Sequence, residues 1–269
     1  MTAIRLGCQG WTYPDWVAVF YPPHARQETL LPFYARVFDT VELDSTFYGP
    51  PKATIARSWA RHTPASFRFA AKAPRAVTHD KRLVDAGAEM AELARGLEPL
   101  GEKLGPVLVQ LPPDFARDPG TESALRAFLA AAPAAMRLAV ELRHATWHVP
   151  ATLDLLRDRA AALAWIQWRD LPVWPEITAP FLYVRWLGTR EDITRYDRVQ
   201  IDRAGELDAW TERVRASIGA VDEIYGYVNN HYAGHSPETV RELQSRLGLA
   251  VTDPRELWPQ RELFGGEPR

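Results

Sequence analysis

Eight short apolar runs recur along the chain, and most end in a charged or amide side chain that a buried strand does not tolerate alone. They are Ile4-Arg5-Leu6-Gly7-Cys8, Val41-Glu42-Leu43-Asp44-Ser45, Phe67-Arg68-Phe69-Ala70-Ala71-Lys72, Val107-Leu108-Val109-Gln110-Leu111, Leu138-Ala139-Val140-Glu141-Leu142-Arg143, Leu163-Ala164-Trp165-Ile166-Gln167, Leu182-Tyr183-Val184-Arg185 and Ile224-Tyr225-Gly226-Tyr227-Val228-Asn229. Polar ends on so many buried strands make sense when the strands share one polar site.

Between the runs lie segments with helical spacing. Leu30, Phe33, Tyr34 and Val37 mark one helix, Ile55 to Arg61 a second, and Leu83 to Leu97 a third. Thr121 is expected to cap a helix carrying Leu125, Phe128 and Leu129, with Glu122 in its first turn. Pro150 opens the helix of Leu153 and Leu156, Leu207 to Ile218 forms the next, and Ser236-Pro237 starts the last. Gln167 to Phe181, with Pro172, Pro175 and Pro180, has room only for an irregular crossover. Strands alternating with helices favour a parallel sheet. About eight such units in 269 residues point to an α/β fold, a single (β/α)8 TIM-type barrel irregular around its sixth unit. The absence of Gly-x-Gly-x-x-Gly after the first strand weakens the open Rossmann alternative. The expected domain is 1–269, with a loosely held tail after about 258 that contains Gly265, Gly266 and Pro268.

A formal charge of -2 gives no general attraction to nucleic acid or to anionic membrane. Cys8 is the single cysteine and so forbids an internal disulfide, which fits a reducing compartment. No basic segment followed by an apolar core opens the sequence, and no apolar stretch approaches the roughly 20 residues of a membrane span. A cytoplasmic location without membrane contact is expected.

Strand alternation sharpens the site. Thr40, Glu42 and Asp44 share one face of the second run, leaving Val41 and Leu43 for the helices. The same parity sets Gln110 apart from Val107 and Val109, and groups Glu141 with Arg143, Gln167 with Trp165, Arg185 with Tyr183, and Asn229 with Tyr227. Pointed inward, Glu42, Asp44, Lys72, Gln110, Glu141, Arg143, Gln167, Arg185 and Asn229 meet at the carboxyl ends of the strands, where barrel enzymes place their sites. Glu42 and Glu141 are the acid–base candidates. Lys72 is a catalytic candidate that can hold an anion or form a Schiff base, and it can equally neutralise Glu42 or Asp44. Arg185 suits bidentate recognition of carboxylate or phosphate. A self-neutralising ion network that only fills the barrel mouth is the structural alternative.

The loops after the seventh and eighth runs, Leu187-Gly188-Thr189-Arg190 and Asn230-His231-Tyr232-Ala233-Gly234-His235, suggest a phosphate cradle ending at a helix start. Trp11, Tyr13, Trp16, Phe47, Tyr48, Trp147, Trp168 and Trp186 cluster near the same edge, where rings either stack on a sugar or base or plug gaps between loops. No His-Glu-x-x-His or Cys/His pattern predicts a metal centre, and no cofactor is expected. The carboxylates with Gln110 and Asn229 offer oxygens to a hard divalent cation, fewer than such an ion demands.

Gly7-Cys8-Gln9-Gly10-Trp11 with Trp16 and Phe20-Tyr21-Pro22, Val41-Glu42-Leu43-Asp44-Ser45-Thr46-Phe47-Tyr48, and Phe67-Arg68-Phe69 with Lys72 resemble the YecE-like family, a domain of unknown function. So do Leu104-Gly105-Pro106 with Gln110-Leu111-Pro112-Pro113, Val140-Glu141-Leu142-Arg143-His144 with Trp147, Tyr183-Val184-Arg185, and Tyr227-Val228-Asn229-Asn230. Asp44 stands where such proteins often carry another polar residue, and His231 follows the paired Asn. The resemblance implies a TIM-like barrel and supplies no substrate.

Two functional expectations follow. The first is an enzyme, a hydrolase or isomerase, acting on a small polar sugar-like or nucleoside-like molecule with an anionic group. Glu42, Glu141 and Lys72 would be catalytic, and Trp11, Asp44, Tyr48, Gln110, Arg143, Trp147, Gln167, Arg185, Asn229 and Asn230 would bind the substrate. The second is a non-catalytic binding module for a metabolite or single-stranded nucleic acid.

Overall fold

In a computed structural model that describes residues 2–188 and 193–259, all eight runs are strands of one sheet. They are β1 (Ala3–Cys8), β2 (Thr40–Leu43), β3 (Arg68–Lys72), β4 (Leu104–Gln110), β5 (Leu138–Glu141), β6 (Ala162–Gln167), β7 (Phe181–Trp186) and β8 (Glu223–Val228). Every neighbouring pair is parallel, and β1 joins β8 in register from Ala3↔Glu223 to Cys8↔Val228, curling the sheet back on itself. The connecting helices are α1 (Gln27–Val37), α2 (Ala53–Arg61), α3 (Gly87–Leu97), α4 (Pro119–Ala131), α5 (Pro150–Arg157), α6 (Ala204–Ser217), the single turn α7 (Asn230–Ala233) and α8 (Ser236–Arg246). This is a (β/α)8 TIM-type barrel, and residues 168–180 cross from β6 to β7 without a helix, as the prolines require.

The seam between β1 and β2 is built differently from the other joints. Gly7 lies so close to β2 that a Cβ there would sit 2.1 Å from the Thr40 carbonyl oxygen. The Tyr34 hydroxyl of α1 bridges the gap, accepting from Cys8 N at 2.8 Å and donating to the Thr40 oxygen at 3.0 Å. Above it, Gly10 N donates to the Glu42 carbonyl at 2.9 Å, and an isolated bridge pairs Gln9 with Glu42.

Alternation divides the strands into two packed layers. Val41, Leu43, Val107, Val109, Leu138, Val140, Leu182 and Val184 face the helices, while Ala70, Leu108, Ala139, Ala162, Ala164, Ile166, Phe181, Tyr183, Tyr225 and Tyr227 form a separate cluster. Rings from β7 and β8 fill the lumen and alanines opposite make room for them. The parity expected for β6 is reversed. Ala162, Ala164 and Ile166 line the lumen, Trp165 packs among the helices, and the Trp165 indole donates to the Glu176 carbonyl.

Two helix starts also differ from expectation. α4 is capped by Asp118, whose carboxylate accepts from Gly120 N and Thr121 N, so Thr121 lies three residues inside. α3 begins only at Gly87, because Arg82, Leu83 and Asp85 adopt positive φ and break the helix before it. The tail after 258 is described only to Pro259, so that expectation lies outside the described residues.

Candidate functional site

Glu42, Glu141 and Arg185 reach the upper lumen from β2, β5 and β7. Arg185 donates from Nη2 to Glu42 Oε1 at 2.7 Å and from Nη1 to Glu141 Oε2 at 2.6 Å, so one guanidinium spans both carboxylates. Tyr183 donates to Glu42 Oε2 at 2.6 Å, and Arg143 Nε donates to Glu141 Oε1 at 2.5 Å. Both carboxylate side chains are 0% exposed and Arg185 is 2% exposed. Burial alone would raise the Glu141 carboxyl, but Arg143 and then Arg185 hold it down at about 2. Burial likewise opposes the Arg185 charge, and Glu141 with Glu42 outweighs it, raising Arg185 above its ordinary value. All four oxygens of Glu42 and Glu141 are hydrogen-bonded within the protein and shielded from water. They form a floor beneath the mouth.

Gln9, one step beyond β1, joins this floor. One end of its carboxamide lies 2.8 Å from Asn229 Nδ2, and the other lies 3.0 and 3.1 Å from Arg185 Nη2 and Nε. Three nitrogen donors therefore surround a group with one oxygen. Asn229 also accepts from His231 N at 2.7 Å, capping α7.

Above the floor stand Lys72, Arg143 and Gln110, mostly buried, with the more exposed Asp44 and Tyr48 beside them. Lys72 Nζ donates to Asp44 Oδ1 at 3.2 Å and lies 4.1 Å from the Phe47 ring centre. Burial lowers the Lys72 pKa, Asp44 opposes that shift and Arg185 adds to it. The Thr46 hydroxyl ties this corner together, accepting from Lys72 N at 2.9 Å and donating to the Lys72 and Leu43 carbonyls, each at 2.7 Å. Arg143 stands with its guanidinium 4.7 Å from the Trp168 ring centre, and Nε is its only nitrogen hydrogen-bonded to a described residue. Gln110, paired in register with Glu141, is 6% exposed and its amide has no hydrogen-bond partner among the described residues. Tyr48 is 80% exposed beside Phe47.

His79 completes the rim from a single π-helical turn, Ala76–Asp80, after β3. Its ring meets Phe47 edge to face at 5.1 Å. Burial lowers its pKa, and the positive fields of Lys72, Arg75 and Arg143 follow, with Asp80 opposing them. The sequence reading missed Gln9 and His79. The Arg5-Gly7-Gln9 alternation carried a signal for the first, while a loop turn gave none for the second.

Four expected binding residues lie elsewhere. Gln167 faces outward, accepting from the Trp210 indole at 2.6 Å and pairing with Glu206 of α6. Trp147 is wholly buried, donates to the Phe115 carbonyl at 2.7 Å and stacks on the Phe115 ring. Trp11 packs edge-on against Trp59 of α2. Asn230 accepts from the Ser236 amide and hydroxyl at 3.0 and 2.8 Å, fixing the start of α8. That contact takes two amides at the start of α8 out of the suggested phosphate cradle: Ser236 N is occupied and buried, and Pro237 has no N–H to offer. Thr189 and Arg190 of the other loop lie outside the described residues. Among the described residues no three His, Cys, Asp or Glu side chains gather to hold a metal ion, and no helix is long and apolar enough to cross a membrane. A groove of about 620 Å³ runs along α3 and α4 on the outer wall, but of its lining residues only Asp85 ionises.

Comparison with known proteins agrees with the fold. The UPF0759 protein YecE of Escherichia coli strain K12 is 32% identical over 141 residues, 52% of this chain and 48% of that protein. The UPF0759 protein YunF of Bacillus subtilis strain 168 is 34% identical over 118 residues, 42% of this chain and 41% of that protein. The chain thus spans 48% and 41% of the length of these curated relatives. The crystal structure of a DUF72 family protein from Thermotoga maritima superposes with a TM-score of 0.80 at 29% identity, covering 91% of this chain and 99% of that one. One from Enterococcus faecalis V583, at 20% identity, shares the fold with a TM-score of 0.78 over 96% of this chain and 99% of that one. Residues 5–262 match the profile described as "Protein of unknown function DUF72", and the chain belongs to that family.

Proposed function

We propose that the barrel mouth binds the anionic group of a small polar molecule, sugar-like or nucleoside-like, and that the protein is an enzyme of hydrolase or isomerase type acting on it there. Arg143 carries this reading. Its Nε is fixed by Glu141 and its face by Trp168, while its terminal nitrogens meet no described partner. A preorganised guanidinium with free donors is suited to carboxylate or phosphate. The net positive field felt at His79 favours the same charge on the ligand. Gln110 adds a buried amide, without a hydrogen-bond partner among the described residues, for a hydroxyl or carbonyl. Asp44, with a side chain 47% exposed, and His79 are the groups placed to exchange protons with a ligand. Glu42, Glu141 and Arg185 act beneath them as positioning residues.

Nucleic acid fits less well. Trp168 already carries Arg143 at 4.7 Å and Arg169 at 4.9 Å, and Trp147 is buried, so neither offers a free face for a base.

Calorimetric titration with inorganic phosphate and a set of sugar and nucleoside phosphates tests the reading. Arg143→Lys keeps the charge beside Glu141 but removes the fork, and should weaken phosphate binding by about tenfold or more while the thermal melt stays cooperative. Equal phosphate affinity in the two proteins, or phosphate binding to neither, would refute it.

A further inference from the structure

We infer that Lys72 is a nucleophilic amine, and that the molecule taken up at the mouth is an anionic aldehyde or ketone which forms an imine with it. This rests on the anion-binding reading above and names the substrate class.

The chain uses arginine almost everywhere a cation is needed. Lys52, Lys72, Lys81 and Lys103 are the only lysines among 32 basic residues. At an ion pair with a carboxylate, arginine gives two parallel hydrogen bonds where lysine gives a point charge. Lysine alone of the two can become a neutral nucleophile, so its presence facing Asp44 is informative. The other lysines are accounted for differently. Lys103 donates to the Ala60 carbonyl and to both oxygens of Thr63, which fills its three hydrogens. Lys81 pairs with Glu89 and the Asp85 carbonyl on the surface, and Lys52 is exposed.

Lys72 Nζ, by contrast, has one acceptor among the described residues, Asp44 Oδ1 at 3.2 Å, with the Phe47 ring at 4.1 Å. Its side chain is only 9% exposed, and Thr46 clamps its backbone on both sides. Burial lowers its pKa, which favours the free amine. Asp44 remains nearly half exposed, and is therefore in reach of both the amine and a ligand oxygen.

The chemistry closes with these groups alone. Lys72 gives one ammonium proton to Asp44, and the amine adds to the carbonyl carbon, opening the C=O double bond. Asp44 returns the proton to the new alkoxide, leaving a carbinolamine still protonated on nitrogen. Asp44 then takes a proton from that nitrogen and passes it to the hydroxyl, which departs as water. The product is a protonated imine, and nothing is oxidised or reduced. Arg143 would hold the carboxylate or phosphate of the same molecule during the addition. An imine draws electrons from the adjacent carbon, which suits isomerisation or carbon–carbon bond chemistry next to the former carbonyl.

Glyoxylate, a small anionic aldehyde, is the probe. The full chain is incubated with it and cyanoborohydride, which reduces each imine to a stable carboxymethyl amine, and the four lysines are mapped by mass spectrometry. Lys72 should be labelled at least about tenfold faster than Lys52 and Lys81, since a held carboxylate makes the addition effectively intramolecular. Inorganic phosphate should slow labelling at Lys72 alone, and acetaldehyde, which has no charge, should lose the preference. Lys72→Arg keeps the charge and should keep phosphate binding. Labelling of Lys72 no faster than of Lys52 overturns the inference, and with phosphate binding intact it leaves the anion-binding reading standing. Preferential labelling that glyoxylate and acetaldehyde share supports the amine and removes the anion.

Discussion

Arg185 is the single cation between two carboxylates that are both shut away from water, and replacing it tests what that arrangement is worth. In Arg185→Met, Glu141 keeps Arg143 on Oε1, whereas Glu42 keeps only the Tyr183 hydroxyl on Oε2. The orphaned charge is therefore Glu42. Removing one partner of a buried pair costs about 3–5 kcal/mol, a large share of the roughly 5–15 kcal/mol by which a folded protein is stable. Adding Glu42→Gln to that background deletes the charge and keeps an oxygen for Tyr183. Exchanging a whole buried pair for uncharged groups of similar volume is often neutral. The double variant should therefore recover at least about 2 kcal/mol over Arg185→Met, a coupling readable by urea denaturation followed through tryptophan fluorescence at pH 7. Were the double variant no more stable than Arg185→Met, the liability would not be the stranded carboxylate, and the account of the floor as a charge-balanced unit would be wrong.

The other predictions are simpler. Glu141 is held from an ordinary 4.5 down to about 2, so its contribution of about 3 kcal/mol is present above pH 4.5 and is lost as pH falls toward 2. Thermal midpoints measured across that window should drop less steeply in Glu141→Gln than in the parent protein. Gly188→Ala would set a Cβ 1.5 Å from the His231 carbonyl oxygen, and the backbone shift it forces should cost about 1–3 kcal/mol or more by chemical denaturation. Tyr34→Phe leaves Cys8 N and the Thr40 oxygen without the hydroxyl they share, and should lower stability by about 1–3 kcal/mol for each orphaned group. A melting curve unchanged from the parent would show that water replaces the hydroxyl.

The fold was legible because hydrophobic runs set the strands and the polar residue in each run set its phase. Glu42, Gln110, Glu141, Arg185 and Asn229 fixed the inward face of their strands correctly. β6 failed for the same reason the others succeeded. Its inward residues are Ala162, Ala164 and Ile166, none of them polar, and its amide, Gln167, serves α6 instead. Parity places a side chain on a face but says nothing about partners. The sequence therefore put Glu42 and Glu141 in the mouth without indicating that Arg185 occupies both. His79 was illegible because a π turn, which no periodicity announces, carries it to the rim. Single tryptophans were equally opaque, since burial and ligand stacking favour the same residue.

A ring whose last joint is a phenol has an order of assembly written into it. β1 meets β8 through its own backbone, but within the strand it meets β2 through a group that only α1 can deliver, and direct backbone contact, from Gly10 N to the Glu42 carbonyl, comes only beyond its end. Docking of α1 should thus precede circularisation during folding, and partial opening of the native state should begin where that helix loosens. Slow deuterium uptake at Cys8 N, matched in rate to the middle of α1 rather than to the amides of β8, would be the signature of such a clasp.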